Sequence, residues 1–472
     1  MASNDSRYAA QKWYAKLRLG WIFNTSTFIG NLAIALIITY FFRRLGYGDE
    51  VDYVFLLTVL SIGLWITEAI PPFAVGILIV TMLLFGFGTD YLFSESSSVE
   101  IYVGTWSSNV VWLLLGGFFL AEAMKEAELD RNLFRLVIRR FGNDPERLLM
   151  GLMFVTAFGS MVMSNTATTA MMISSIMPLI RVLGAQSKYS IALLTGIPAS
   201  ATIGGIGTII GSTPNAIAVG ALQERGIHIT FIDWMLVGLP TALLLICLFF
   251  RYLSRQLNIK DTELDLSKIP ESEKKVEPFK RRAVIVTLIA TIALWATEPI
   301  HGIPVAATSA VPILLLTLTQ VINSDQVRTL PWDTLMLVAG GLALGLALVE
   351  VGLAAIVMQQ INNLPVPTLA VAFLFSLIGV SLSNVMSNTA AASILMPLAV
   401  SLPQPFGTAV PVIVAISCSC SLLLPVSTPS NAVAYSTGLI QQKEFRRGGV
   451  FFMFAGPIAA FAAAMLWVWL YM

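Results

Sequence analysis

Apolar positions in this chain do not follow the period of a surface helix or a strand; they form near-continuous runs of ~20 residues parted by short polar breaks. Runs of that length match the ~30 Å hydrocarbon core that a spanning helix has to cross. They predict spans near 21–42, 53–69, 71–89, 108–126, 190–222, 231–252, 283–300, 304–322, 333–351, 409–439 and 449–471. Two further apolar stretches, about 148–180 and 366–402, are bounded by Arg147 and Arg181 and by Pro365 and Pro403. Crossing twice with a turn needs more than ~40 helical residues, so each is predicted as a re-entrant hairpin whose tip stops inside the membrane. The expected fold is an all-α membrane protein of eleven transmembrane helices plus two re-entrant hairpins.

The pattern also repeats. Leu64-Trp65-Ile66-Thr67-Glu68 returns as Leu294-Trp295-Ala296-Thr297-Glu298, and Gly116-Gly117 as Gly340-Gly341. Ser164-Asn165-Thr166 returns as Ser387-Asn388-Thr389, and Ser212-Thr213-Pro214 as Ser427-Thr428-Pro429, all in the same order. Each copy holds five crossings and one hairpin, and an odd number of crossings turns the second copy upside down, so two inverted-topology repeats are expected. The predicted organisation is an N-terminal segment with the first span (1–52), a first repeat (53–253), a cytoplasmic or interfacial linker (254–282) and a second repeat (283–472).

Charge placement orients this arrangement. Lys125, Arg131, Arg135, Arg139, Arg140 and Arg147 cluster in one break, and Arg251 to Arg282 carry another dense set. The breaks at 90–107 and 352–366 carry no Lys or Arg. Positive charge stays on the cytoplasmic side, which puts the N-terminus inside and the C-terminus outside a plasma (inner) membrane. Arg43, Arg44 and Arg225 are the exceptions. Of 472 residues, 56% are hydrophobic and 12% charged, and the net charge of +1 gives no field for nucleic acid. The mean hydropathy is +0.80. Cys247, Cys418 and Cys420 lie in apolar runs, which argues against a disulfide framework or a zinc site.

A hairpin tip breaks its backbone inside the bilayer and leaves the N–H groups of the next helix without partners. Ser, Asn and Thr are the residue types that cap such an end, and both triplets stand where a tip is expected. In Gly204 to Asn215, glycines inside an apolar run argue for an unwound helix, after which Thr213 caps a half-helix that starts on Pro214. Pro425 to Asn431 repeats the arrangement. Four half-helix N-termini thus aim their positive dipole ends at one region, a site for an anion that has no Lys or Arg of its own. A doubly charged guest held on dipoles alone calls for co-bound cations. The carbonyls at Gly211 and Ser427, with oxygens of Ser160, Ser164, Asn165, Ser383 and Asn388, offer the neutral oxygen shell that sodium prefers.

At these residues the sequence resembles the divalent anion/sodium symporter family, the INDY-type dicarboxylate and citrate carriers, over roughly residues 53–471. The resemblance implies a homodimer whose scaffold domain holds a transport domain that moves as an elevator. It implies Na+ as the co-transported ion, with one site lined by Ser160, Ser164, Asn165 and Gly211. The other would use Ser383, the Met386 backbone, Asn388 and Ser427. Substrate carboxylates would meet Asn165, Thr166, Ser212, Asn388, Thr389, Thr428 and Pro429. The implied activity is symport of C4-dicarboxylates such as succinate, fumarate and malate. Sodium-independent exchangers of dicarboxylates, 2-oxoglutarate or citrate, and sulfate carriers, use the same scaffold. Ser430 departs from the pattern, since many relatives carry a second proline there.

Other polar residues take plainer readings. Glu68 and Glu298 end matching helices beside prolines and are read as interfacial rather than as a proton relay. His228 and His301 are read as solvated loop residues, and the tryptophans as headgroup anchors. The sequence has no His-Glu-x-x-His, no Gly-x-Ser-x-Gly and no pair of mid-span aspartates, which argues against an intramembrane enzyme, so no organic cofactor is expected. Doubled, closed tips fit alternating access better than an open pore.

Overall fold

The computed structural model describes residues 24–88, 92–93, 99–129, 140–141, 144–261, 277–362, 367–425 and 427–471. Arg131, Arg135, Arg139 and most of the linker lie outside the described residues, as do the N-terminal basic residues. Every regular element among the described residues is helical. The first half runs α1 Thr25–Arg43, α2 Asp49–Thr67, α3 Pro72–Phe87, α4 Val99–Gly104, α5 Asn109–Glu126, α6 Pro145–Ser160, α7 Asn165–Leu183, α8 Lys188–Gly204, α9 Thr213–Gln223 and α10 Phe231–Leu257. The second runs α11 Pro278–Ala296, α12 Glu298–His301, α13 Val305–Leu318, α14 Ser324–Arg328, α15 Trp332–Glu350, α16 Leu353–Asn362, α17 Thr368–Val385, α18 Asn388–Ala399, α19 Phe406–Cys418, α20 Pro429–Ser436 and α21 Gln442–Tyr471.

Local chemistry sets these bounds. Pro occupies the first turn of α3, α6, α9 and α20, where its missing N–H is no loss. Asp144 and Ser187 accept from the Arg147 and Ser190 amides to start α6 and α8. At the head of α10 the Thr230 hydroxyl accepts from the Asp233 amide at 3.2 Å while the Asp233 carboxylate accepts from the Thr230 amide at 2.9 Å.

Helix α8 and its continuation to Gly207 are buried except at Lys188 and Ile191, and nearly all of α19 is buried as well. These two helices form the centre. Around them Ile34, Ile37, Phe85, Leu244, Val286, Ile289, Leu318, Phe454 and Ile458 face outward with their apolar side chains exposed. So broad an apolar surface is stable only against hydrocarbon.

Nine helices among the described residues are long and apolar enough to cross a membrane: α1, α2, the stretch Glu100–Glu126, α7, α8 with its extension, α10, α15, α17 and α21. They do not coincide with the eleven spans expected. Helices α7 and α17, expected as hairpin arms, reach spanning length at 19 and 18 residues. Conversely, α3 and α13 stop at 16 and 14 residues, and α11 opens on Lys280, Arg281 and Arg282. The runs 190–222 and 409–439 each break in the middle, as their glycines and prolines predict.

Packing between the halves is exchanged. Helix α3 packs on α15 and its counterpart α13 packs on α5; α9 packs on α18 and α19, while α20 packs on α7 and α8. The approaches are close: a Cβ on Gly76 would stand 2.6 Å from the Met336 carbonyl oxygen, and one on Gly116 would stand 2.7 Å from that of Ser309. Two of the charge exceptions are tied down. Arg43 pairs with Asp49 at 2.7 Å and approaches Asp52 at 3.7 Å, and Arg225 donates to the Ser401 hydroxyl at 3.3 Å.

Candidate functional site at the unwound loops

Ser164 and Ser387, each in extended backbone, start α7 and α18 by accepting the amide hydrogens of Ala167 and Ala390, both at 3.2 Å. The turns placed between α6 and α7 and between α17 and α18 bring a second serine to each asparagine. Ser160 Oγ lies 2.6 Å from the Asn165 amide, and Ser383 Oγ lies 2.7 Å from Asn388 Oδ1. Both Ser160 and Ser383 are fully buried. Two serine–asparagine clusters therefore occupy matching places in the two halves.

In the first cluster the Asn165 amide is oriented by its neighbours. Its Oδ1 accepts from Ser160 Oγ at 2.6 Å and faces the carbonyl oxygens of Ala201 and Gly211, a set of oxygens to which the amide nitrogen would donate, at 3.1 Å for both carbonyls, if the amide were turned over. Gly211 can approach only because it lacks a side chain, since a Cβ there would stand 2.6 Å from the Gly205 oxygen and 3.0 Å from the Ser160 oxygen. Ser164 lies at the edge, with its hydroxyl committed to the cap. In the second cluster Asn388 Oδ1 also lies 2.9 Å from Ser421 Oγ, and the Ser383 and Ser421 hydroxyls, with one hydrogen each to share, both stand 2.9 Å from the Cys418 carbonyl oxygen. Ser427 turns to Asn384 instead, whose Oδ1 it meets at 3.0 Å, one residue along from Ser383. Met386 ends α17 in extended backbone beside it.

The unwound loops are held open by asparagines in the helices that follow. Asn215 donates to the carbonyls of Gly205 and Thr208 at 2.9 and 2.8 Å, and Asn431 to those of Leu422 and Leu424 at 3.2 and 3.0 Å. Buried carbonyls that a continuous helix would satisfy are satisfied here by side chains. The Thr208 hydroxyl donates to the Met161 carbonyl and accepts the Gly211 amide at 3.1 Å, fixing the first loop to the tip of α6.

The expectation that Thr213 caps α9 is not met. Thr213 is already the first helical residue, and Ser212 stands at the cap without making a cap hydrogen bond. Only the second loop follows the expected pattern, with Thr428 Oγ1 accepting the Asn431 amide at 3.2 Å. The Ser212 hydroxyl goes elsewhere, to Ser419 Oγ at 3.0 Å across the boundary between the halves.

A cavity of about 550 Å³ opens beside the second tip. Ser387, Thr389 and Pro429 line it from one side, and Glu68, Pro71, Asp333 and Thr334 from the other. Of the predicted substrate residues, Thr389 and Pro429 are in this wall, whereas Asn165, Thr166, Ser212, Asn388 and Thr428 are not. Asn165 and Asn388 are both half-buried, and the hydrogen-bonded pair Ser212–Ser419 lies between their clusters. Asn384, Ser419 and Ser421 were not singled out in the sequence. The serine-rich run Ser417 to Ser421 was the available signal, hidden because it falls inside an apolar span.

A family model described as citrate transporter (CitMHS) matches residues 62–418. The chain is 30% identical over 441 residues to a sodium-dependent dicarboxylate transporter of Staphylococcus saprophyticus, covering 85% of this chain and 83% of that one. It is 30% identical over 434 residues to the transporter of the same name from Staphylococcus aureus, covering 84% and 82%. Among solved structures, the fold is similar to the YdaH transporter of Alcanivorax borkumensis, with a TM-score of 0.58 at 14% identity, covering 84% of this chain and 98% of that one. It is also similar to MtrF of Neisseria gonorrhoeae, with a TM-score of 0.52 at 12% identity and coverage of 84% and 95%.

Proposed function

The chain belongs to the citrate transporter family, and from that premise we propose that it is a sodium-coupled symporter of C4-dicarboxylates such as succinate, fumarate and malate. As a family member it is a multi-pass membrane transporter and not an enzyme. The observation that carries the sodium-coupled reading is the pair of buried serine–asparagine clusters, Ser160 with Asn165 and Ser383 with Asn388, each backed by main-chain carbonyls. Neutral, hard oxygens without a lysine or arginine are a shell for a small monovalent cation. Sodium is the ion that the names of the staphylococcal relatives carry.

In this reading Ser160, Ser164, Asn165 and Gly211 hold one sodium ion, and Ser383, Met386, Asn388 and Ser427 the other, with Ser421 beside Ser383 and Asn388 added to the second site. The ions offset the charge of a dicarboxylate held by Asn165, Thr166, Ser212, Asn388, Thr389, Thr428 and Pro429. The exchanged packing supports an inverted pair of repeats: halves related by a two-fold axis in the membrane plane swap partners in this way. Alternating access by an elevator motion of the hairpins and broken helices within a homodimeric scaffold follows from the family resemblance.

The test is uptake of labelled succinate into proteoliposomes with and without an inward sodium gradient. Saturable uptake that needs the gradient and speeds up with unlabelled succinate on the opposite side is expected. Equal uptake without sodium would reject the symport reading, and uptake of citrate or sulfate in place of succinate would reassign the substrate.

A further inference from the structure

The two serine–asparagine clusters are not isolated from each other. Gly211, whose carbonyl faces Asn165, is followed in the chain by Ser212. Cys418, whose carbonyl oxygen lies 2.9 Å from both Ser383 Oγ and Ser421 Oγ, is followed by Ser419. The two following serines meet at 3.0 Å, with 5% and 0% of their surfaces exposed. One hydrogen bond therefore joins the peptide unit that supplies a carbonyl to the first cluster with the one that supplies a carbonyl to the second.

Both partners are placed for this contact at the expense of an alternative. Ser212 stands at the cap position of α9 yet caps nothing, while Thr428, at the cap position of α20, does cap. Ser419 also lies 3.3 Å from the Ala415 carbonyl, to which it directs its hydrogen. That leaves Ser212 as the donor and Ser419 Oγ as the acceptor. A buried hydroxyl without a partner is costly, so the pair is held unless something better claims the Ser212 hydrogen.

We propose that Ser419 is a positioning residue that couples the two sodium sites, through its hydrogen bond to Ser212, so that an ion in one cluster raises the affinity of the other. This inference rests on the sodium-coupled reading above. A cation drawn to the Gly211 carbonyl fixes the Gly211–Ser212 peptide, and the Ser212 hydrogen bond passes that restraint to the Cys418–Ser419 peptide. A neutral hydrogen bond contributes enough for a coupling of roughly fivefold in affinity.

The experiment is a sodium titration of labelled succinate uptake by the full-length protein in proteoliposomes. Wild type, Ser419→Ala and Ser419→Thr are compared. Wild type is expected to give a sigmoidal curve with a Hill coefficient above one. Ser419→Ala is expected to lower the coefficient to that of two independent ions that are both required, and to raise half-saturating sodium about two- to fourfold. Its succinate KM at saturating sodium should stay within about twofold of wild type, and Ser419→Thr, which keeps the hydroxyl, should restore the wild-type coefficient. An unchanged Hill coefficient in Ser419→Ala, or a fall in kcat alone, overturns the proposal while leaving symport intact. Sodium-independent uptake by wild type would instead overturn the symport reading itself. Should Ser419→Ala fail to reconstitute, Ser212→Ala removes the donor of the same bond. Sodium-induced thermal stabilisation in detergent without succinate then reads the cooperativity directly, and a curve as steep as that of wild type overturns the coupling.

Discussion

Gly340 and Gly76 meet backbone to backbone, so that a Cβ built on Gly340 would stand 2.5 Å from the Gly76 carbonyl oxygen. Neither main chain can yield, because both lie within packed helices, α15 and α3. Gly340→Ala is therefore expected to destabilise the protein by at least ~1–3 kcal/mol, the usual cost of overpacking. Gly345→Ala is the control, since its Cβ would meet only Pro397 Cγ at 3.8 Å. Thermal unfolding in detergent should separate the two. Equal midpoints would show that the glycine contact carries no packing constraint.

Ser383→Ala removes the hydroxyl that stands 2.7 Å from Asn388 Oδ1 and 2.9 Å from the Cys418 oxygen. Loss of that one oxygen should weaken sodium by ~5–30-fold, the equivalent of ~1–2 kcal/mol. Ser160→Ala should do the same to the other cluster. Half-saturating sodium in an uptake assay reports both. A variant that changes succinate KM at saturating sodium, with the sodium requirement untouched, would move that serine from the ion to the substrate.

The sequence made most helices and the capped starts of α7 and α18 legible because their signals are local. Ser164 and Ser387 announce helix starts three residues ahead of the amides they accept, and Pro214 and Pro429 mark the restarts. What it did not show depends on distant partners. Thr213 and Thr428 sit in the same motif, yet only Thr428 caps, because the chain bends at Ser212 to reach Ser419 more than two hundred residues away. Likewise Asn384 and Ser421 read as filler in apolar helices until the fold sets them beside Ser427 and Asn388. The stretch 148–180 was expected as a hairpin, and α7 within it is as long as a crossing, with its Asn165 end capped by Ser164.

Glu224 follows α9 and lines a small apolar pocket with Leu342, Leu346 and Val349. Partial burial pushes its carboxyl above the ordinary carboxylate range. A carboxyl raised in this way favours the folded state below its ordinary value, and that contribution is lost as pH rises through the raised one. Glu224→Gln should therefore be the more stable protein at neutral pH and no more stable than wild type in acid. Thermal midpoints measured across that range check it, and parallel curves for the two proteins would contradict it.

Orientation can be read by side-specific labelling. With a cytoplasmic N-terminus, Lys260 faces the cytoplasm and Ile300, which is 84% exposed, faces outside. In a background where Cys247 is replaced by serine, Ile300→Cys should react with an impermeant maleimide on whole cells, and Lys260→Cys only after the membrane is opened. The reverse pattern would invert the topology.

The exchanged packing constrains how the chain comes off the ribosome. Helices α5 and α9 of the leading half have their principal partners, α13 and α18, far downstream, and α3 waits for α15. Until the trailing segments insert, the glycine faces around Gly76 and Gly116 have only lipid to touch, and a nascent chain halted at the linker would hold unfinished surfaces. Each half presents packing faces that only the other fills, so the two are expected to complete their packing together.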